Sequence, residues 1–248
     1  MHTPCLCQTP LIHHIPMKTF RVPFLTVAAL VTAAAGRLSQ AATYSIDLGT
    51  AVAALGDTSG WSAAVLNHFT AAAGSLTIDS ISVVFGSPAG GNGLAGGEAF
   101  TVVLWSDPNG DGNPGDAVVL GSASGNLSVF NSPSSQAQST SISPVTLAVG
   151  QSFFAGVAYS NYGANVNPGG VAPSATPGES WLAYNGPLGP VDLNNLSGSA
   201  ALGTLGSLVP LAGANSLVSM IRANGVPEPA TAALAGLGLL TLNRRRRK

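Results

Sequence analysis

The chain has 248 residues, of which 8% are charged against roughly 25% in soluble globular domains; with 46% hydrophobic, highly charged disorder is excluded and a core can form. Gly 31 and Pro 17 exceed the usual share and predict many turns. The formal net charge of −1 hides a segregation of sign: residues 42–225 carry nine acids and one cation, Arg222, for a net −8, while the other basic residues lie at the two ends. A body with no basic patch cannot neutralise phosphates, which argues against nucleic acid as a partner.

Residues 17–41 begin with Met17, Lys18 and Arg21 and continue into an apolar run over 22–35, closing on small residues at Ser39 and Ala41. This is the pattern of a secretory signal peptide, with signal peptidase cutting between Ala41 and Ala42. Residues 1–16 place a polar stretch with Pro and His ahead of that n-region, so they read either as a mis-assigned start or as an extended n-region. Cys5 and Cys7 both fall there with His2, His13 and His14. A CxC metal site is one reading of them, and a segment absent from the mature protein is the preferred one. The body then contains no cysteine, and ordinary core burial, which about 185 residues can supply, must stabilise it.

From residue 42 to 225 apolar residues come in short β-rich runs between Gly, Pro, Asn, Asp and Ser clusters, which predicts a single all-β domain, an antiparallel β-sandwich. The expected strands are 43–48, 75–85, 99–106, 117–122, 127–130, 139–147, 152–160, 180–184 and 216–223. Residues 61–73 are the one stretch with a helical period. In the second strand the apolar parity flips beside Asp79, which predicts a β-bulge there. In the strand from Ser152 the face of Phe153, Ala155, Val157 and Tyr159 is expected in the core. Two Gly-rich stretches, 86–97 and 161–178, read as long surface loops.

The sharpest constellation lies after the third strand. Oxygen side chains at Asp107, Asn109 and Asp111, followed by Gly112, match the first half of a calcium loop, in which alternating carboxylates and carboxamides curl round a hard cation. Its twelfth position is Val118, so the usual bidentate Glu is missing and Asp116 is the substitute ligand. The competing reading is a polar hairpin loop whose Asn-Gly and Asp-Gly pairs supply positive-φ turns. Other chemistry is poorly supplied. His68 is the only histidine of the body and reads as structural, although a Ser-His-Asp arrangement is assembled in space rather than in sequence. Glu98 and Glu179, each ahead of an apolar strand, are the pair that glycoside hydrolysis would need. Trp61, Trp105, Trp181, Tyr162 and Tyr184 are available for sugar stacking, Tyr162 being the one expected to be exposed. Arg222 is expected to pair with one of the acids.

The chain ends VPEPATAALAGLGLLTLNRRRRK. Pro227, Glu228 and Pro229 break any preceding structure, 230–242 is uninterrupted and small or apolar, and 244–248 is cationic. As a helix the apolar part would be about 20 Å long, short of the roughly 30 Å hydrocarbon core, which suits transient membrane association rather than a lasting transmembrane helix. Residues 226–248 resemble the PEP-CTERM sorting signal of exported bacterial proteins. The resemblance implies recognition at Pro227, Glu228 and Pro229 by an exosortase-type membrane transpeptidase, in a Gram-negative, exopolysaccharide-producing setting. Elsewhere strand order and loop style resemble the jelly-roll-like β-sandwiches of secreted bacterial proteins.

The expectation is therefore an exported, non-enzymatic β-sandwich whose one candidate cofactor is calcium at the 107–116 loop, with the plain hairpin turn as the reading preferred there. It would be sorted to the cell envelope or extracellular polysaccharide matrix for a structural or adhesive role. A carbohydrate-binding module of the same fold is the second reading, and a polysaccharide or ester hydrolase the third.

Overall fold

The computed structural model describes residues 43–226 apart from 58–59, 75, 91–92, 131–133, 175, 177 and 210–215. Residues 1–16, the signal segment with its expected cut between Ala41 and Ala42, and the sorting signal with Pro227, Glu228, Pro229 and the apolar 230–242 lie outside the described residues.

Thirteen strands are described: β1 (Thr43–Tyr44), β2 (Ala53–Asp57), β3 (Trp61–Thr70), β4 (Thr77–Ser87), β5 (Ala99–Ser106), β6 (Val118–Asn126), β7 (Ser134–Thr146), β8 (Ser152–Tyr162), β9 (Val166–Pro173), β10 (Ser180–Tyr184), β11 (Ala201–Thr204), β12 (Leu217–Ser219) and β13 (Ile221–Val226). One sheet follows the order β1-β13-β4-β9-β12, with β7 also paired to β4 and β2 to β9; the other follows β11-β10-β3-β8-β5-β6. Every strand pairing is antiparallel. This is the all-β sandwich that the alternation of apolar runs and turn residues predicts.

The core lies between the sheets. Ile78, Ile81, Val83, Phe85, Val171 and Ile221 of one sheet meet Val65, Val102, Leu104, Phe153, Val157 and Tyr159 of the other, all 2% exposed or less. The Phe153 face of β8 is thus the core face, as its pattern predicts. Its opposite face is buried too: Phe154 joins Leu66, Val103 and Trp105 in a second cluster capped by Val191 and Leu196. The Trp105 indole N–H donates to the Leu193 carbonyl at 2.9 Å, so the connection after β10 is fastened over the outside of this sheet.

The bulge expected beside Asp79 is present. Both neighbours of β4 change register there, Ile78 pairing with Val145 and Ser80 with Ser141 on one side, and Gly225 and Asn224 taking the same two residues on the other. Against β13 Asp79 is one extra residue, while against β7 it faces three, 142–144; the irregularity returns Ile78 and Ile81 to the same core, which is what a bulge does.

Three sequence expectations fail. Residues 61–70 are not helical but form β3, a central strand between β8 and β10 buried continuously from Ser62 to Asn67. Burial on both faces erases the period-2 signal. The expected loop 161–178 contains β9, a strand whose Pro168, Gly169, Gly170 and Pro173 imitate loop composition. The expected strand 127–130 is irregular, its Leu127 and Phe130 amides bonding to the Glu98 and Ala95 carbonyls.

Arg222 on β13 closes the sandwich against the segment after β1. Its Nε and Nη2 donate to Asp47 at 3.0 and 2.7 Å, and Ser45 Oγ and the Gly49 amide complete the carboxylate's partners at 2.9 Å each. The Asp47 side chain is fully buried and Arg222 is 34% exposed. Burial alone would raise the Asp47 pKa, but these hydrogen bonds and the Arg222 charge outweigh it and hold the carboxyl below its ordinary value. A lowered folded-state pKa adds stability that is present above the unfolded value, about 3.9, and lost as pH falls through the folded one. Asp47→Asn should therefore cost about 1–2 kcal/mol at pH 7, discounted for solvent at Arg222. Urea titrations at pH 7 and pH 3 should show that difference shrinking in acid.

Candidate functional site

The β5–β6 connection folds around Asp107. Its carboxylate is buried and draws the loop inward, Oδ1 accepting from the Gly110 amide at 3.0 Å and Oδ2 from the Gly112 amide at 2.9 Å. Asn109 Oδ1 accepts from the Asp111 amide, Asp111 Oδ1 from the Asn113 amide, and Asn113 Oδ1 from the Gly115 amide. These successive side-chain turns are the local reason that Asp and Asn alternate here. A 3-10 turn at Pro114–Asp116, capped by Asn113, then carries Asp116 back toward the start. One carboxylate oxygen from each of Asp107, Asp111 and Asp116 lies within 4.8 Å of the others, Asp107 buried and the other two exposed.

Three of the four oxygen ligands expected from the sequence are thus together. Asn109 turns its amide nitrogen to Asp111 Oδ2 at 3.0 Å. Such a hard, oxygen-only set is of the chemical type that calcium takes. Both Asp107 oxygens are already engaged, Oδ1 by Gly110 and Oδ2 by Gly112 and Ser152, while Asp111 and Asp116 are the exposed carboxylates of the three.

Sequence reasoning missed what lies beside the loop. Along the outer face of the second sheet Glu179, His68, Ser152 and Asp107 form one row: His68 Nδ1 is 2.6 Å from Glu179 Oε2, His68 Nε2 is 2.5 Å from Ser152 Oγ, and Ser152 Oγ donates to Asp107 Oδ2 at 2.7 Å. Strand register assembles it. Thr70 pairs with Ser152 and His68 with Phe154, the His68 amide bonds to the Glu179 carbonyl, and the Asp107 amide bonds to the Ser152 carbonyl. These four residues, 111 positions apart at the extremes, share no spacing signal, and only knowledge of the pairing of β3, β5, β8 and β10 could have found them.

The row has the outline of a nucleophilic triad, with His68 between Glu179 and Ser152, but Ser152 Oγ is shared between His68 Nε2 and Asp107 Oδ2. Glu98 does not pair with Glu179. It accepts from the Ala95 and Gly96 amides just before β5, whereas Asp107 and the row lie beyond the other end of that strand. About 25 Å of strand lies between these levels, several times the separation that glycoside hydrolysis uses.

Of the stacking candidates, Trp61 pairs with Tyr162 across β3 and β8, and Trp181 and Tyr184 lie on β10. Trp105 is fully buried, and Tyr162, expected at the surface, is 7% exposed with its hydroxyl buried and unpartnered. Burial, and to a lesser degree the charge of Glu98, push its phenol pKa up. Tyr184 is half-buried and lines a cleft at the other end of β10.

Among the described residues no helix is long and apolar enough to cross a membrane. No curated protein matches the chain. Residues 225–248 match the family model of the PEP-CTERM protein-sorting motif, and the chain is thus an exported bacterial protein carrying a C-terminal signal for exosortase sorting at the cell envelope.

Proposed function

We propose that the body is a non-enzymatic β-sandwich delivered by that signal to the envelope or extracellular polysaccharide matrix of a Gram-negative bacterium, where it has a structural or adhesive role and its 107–116 loop holds a calcium ion. The observation that carries this reading is the sorting motif at 225–248. The separation of Glu98 from Glu179, toward opposite ends of β5, weighs in the same direction, against a glycoside hydrolase.

The carboxylates of Asp107, Asp111 and Asp116 support the calcium element, since their mutual repulsion within 4.8 Å is what a divalent cation relieves.

Processing tests the destination. Protein recovered outside the cell should have lost 234–248 together with the arginine cluster, as read by intact-mass spectrometry. Glu228→Ala should leave a membrane-held precursor, because the transpeptidase reads the motif while a plain hydrophobic anchor would not. Secreted protein that keeps the arginines would overturn the sorting reading.

A further inference from the structure

At the end of the sandwich away from the acidic loop, a cleft of about 370 Å³ opens between the two sheets. Its position follows from β10, whose Ser180 pairs with Asn67 beside the His68 row and whose Tyr184 pairs with Ala63 at the far end. Leu55, Leu182 and Leu208 give it an apolar wall, and Asp57, Asn167 and Tyr184 give it polar groups. Its volume falls within the range of small-molecule clefts, about 300–1,000 Å³.

The polar groups are set in place by the backbone. The pairing of β2 with β9 slips between Leu55 and Asp57, Leu55 opposing Gly169 and Asp57 opposing Val166, so Asn167 and Pro168 together oppose Gly56 alone. Bulges of this kind re-aim side chains. Asn167 folds across Gly56 so closely that a Cβ at Gly56 would stand 2.2 Å from Asn167 Oδ1; only glycine permits that placement. Tyr184 Oη donates to Asp57 Oδ2, which ties a strand of one sheet to a strand of the other and fixes the carboxylate at the cleft.

We infer that this cleft binds a neutral pyranose unit of a polysaccharide. A pyranose has an apolar C–H face and a rim of hydroxyls, and the cleft has a leucine wall beside a carboxylate, an amide and a phenol. Among the described residues Asp57 is the one charged group lining it, and its carboxylate accepts sugar hydroxyls through strong charge-assisted bonds. With no cation among those lining residues and a body of net −8, acidic sugars are repelled. The inference deepens the adhesive role proposed above and rests on that reading only for where the polysaccharide is met.

The test is calorimetric titration of the full chain with neutral gluco-, galacto- and manno-oligosaccharides and, in parallel, with an oligouronate. At least one neutral oligosaccharide should bind and the oligouronate should not. Asp57→Asn and, independently, Asn167→Ala should each weaken binding at least tenfold, while Asp192→Asn, on the exposed connection after β10, should leave it unchanged. Melting curves identify any variant that fails to fold, in which case the other of the pair decides. Absence of binding up to about 10 mM of every neutral sugar, tighter binding of the oligouronate, or full affinity in a folded cleft variant overturns the assignment. None of these outcomes affects the processing assay, whose failure would overturn the sorting reading and leave the cleft untouched.

Discussion

Replacing Gly156 by alanine should destabilise the sandwich by about 3 kcal/mol or prevent its folding. Gly156 is near the middle of β8, between Leu66 on β3 and Val103 on β5. A Cβ there would lie 2.5 Å from the Val65 carbonyl oxygen, 2.8 Å from Leu66 Cβ and 2.9 Å from Trp105 Cζ3. None of these can retreat cheaply. The carbonyl belongs to a central strand, Leu66 is fully buried, and the Trp105 ring is held by the Leu193 carbonyl. Overpacking costs typically 1–3 kcal/mol and occasionally more, and a clash with backbone in the most enclosed layer belongs at the top of that range. The melting temperature of a domain this size should drop by about 6–12 °C. Gly169→Ala is the control: its added methyl would meet Leu55 and Tyr159 at 3.5 Å or more, ordinary contact, and stability should change by less than about 1 kcal/mol. Equal melting of the Gly156 variant and the wild type would mean that β3 and β5 do not close on β8 as described.

The contrast between these glycines also shows how far the sequence could be read. Strand β5 and strand β10 were legible to the residue, because each is a short β-rich run bounded by turn formers. The Asp79 bulge was legible as well, since a parity flip in an apolar pattern has few other repairs. Strand β3 was not, because both its faces are covered and WSAAVLNHF shows no polar face to set the period. Strand β9 was not, because its glycines and prolines answer to neighbours that only the pairing with β2, β4 and β12 reveals. The same division runs through the sites. The carboxylates of the 107–116 loop are local, so alternation along ten residues exposed their convergence. The Glu179–His68–Ser152–Asp107 row and the Asp57–Asn167–Tyr184 cleft are made by register across strands distant in sequence, and no spacing encodes them.

Calcium should raise the melting temperature of the body, and sodium at equal ionic strength should not. Three carboxylates converge within 4.8 Å, and a divalent cation bound by the folded loop would stabilise by RT ln(1 + [L]/Kd), about 2.7 kcal/mol at a hundred times Kd. For a domain of this size that is about 5–10 °C. The structure decides which substitution is informative. Asp107→Ala is ambiguous, because Asp107 also accepts from Gly110, Gly112 and Ser152; its loss would destabilise the loop with or without a metal. Asp111→Asn combined with Asp116→Asn is the cleaner variant. Both side chains are exposed, and an asparagine at 111 still accepts from the Asn113 amide. In EDTA this variant should melt at or slightly above the wild-type temperature, since two like charges have gone. In millimolar calcium it should fall well below, because only the wild type gains. Identical wild-type melting in EDTA and in calcium would reduce the loop to a hairpin connection, its aspartates and asparagines serving only to turn the chain.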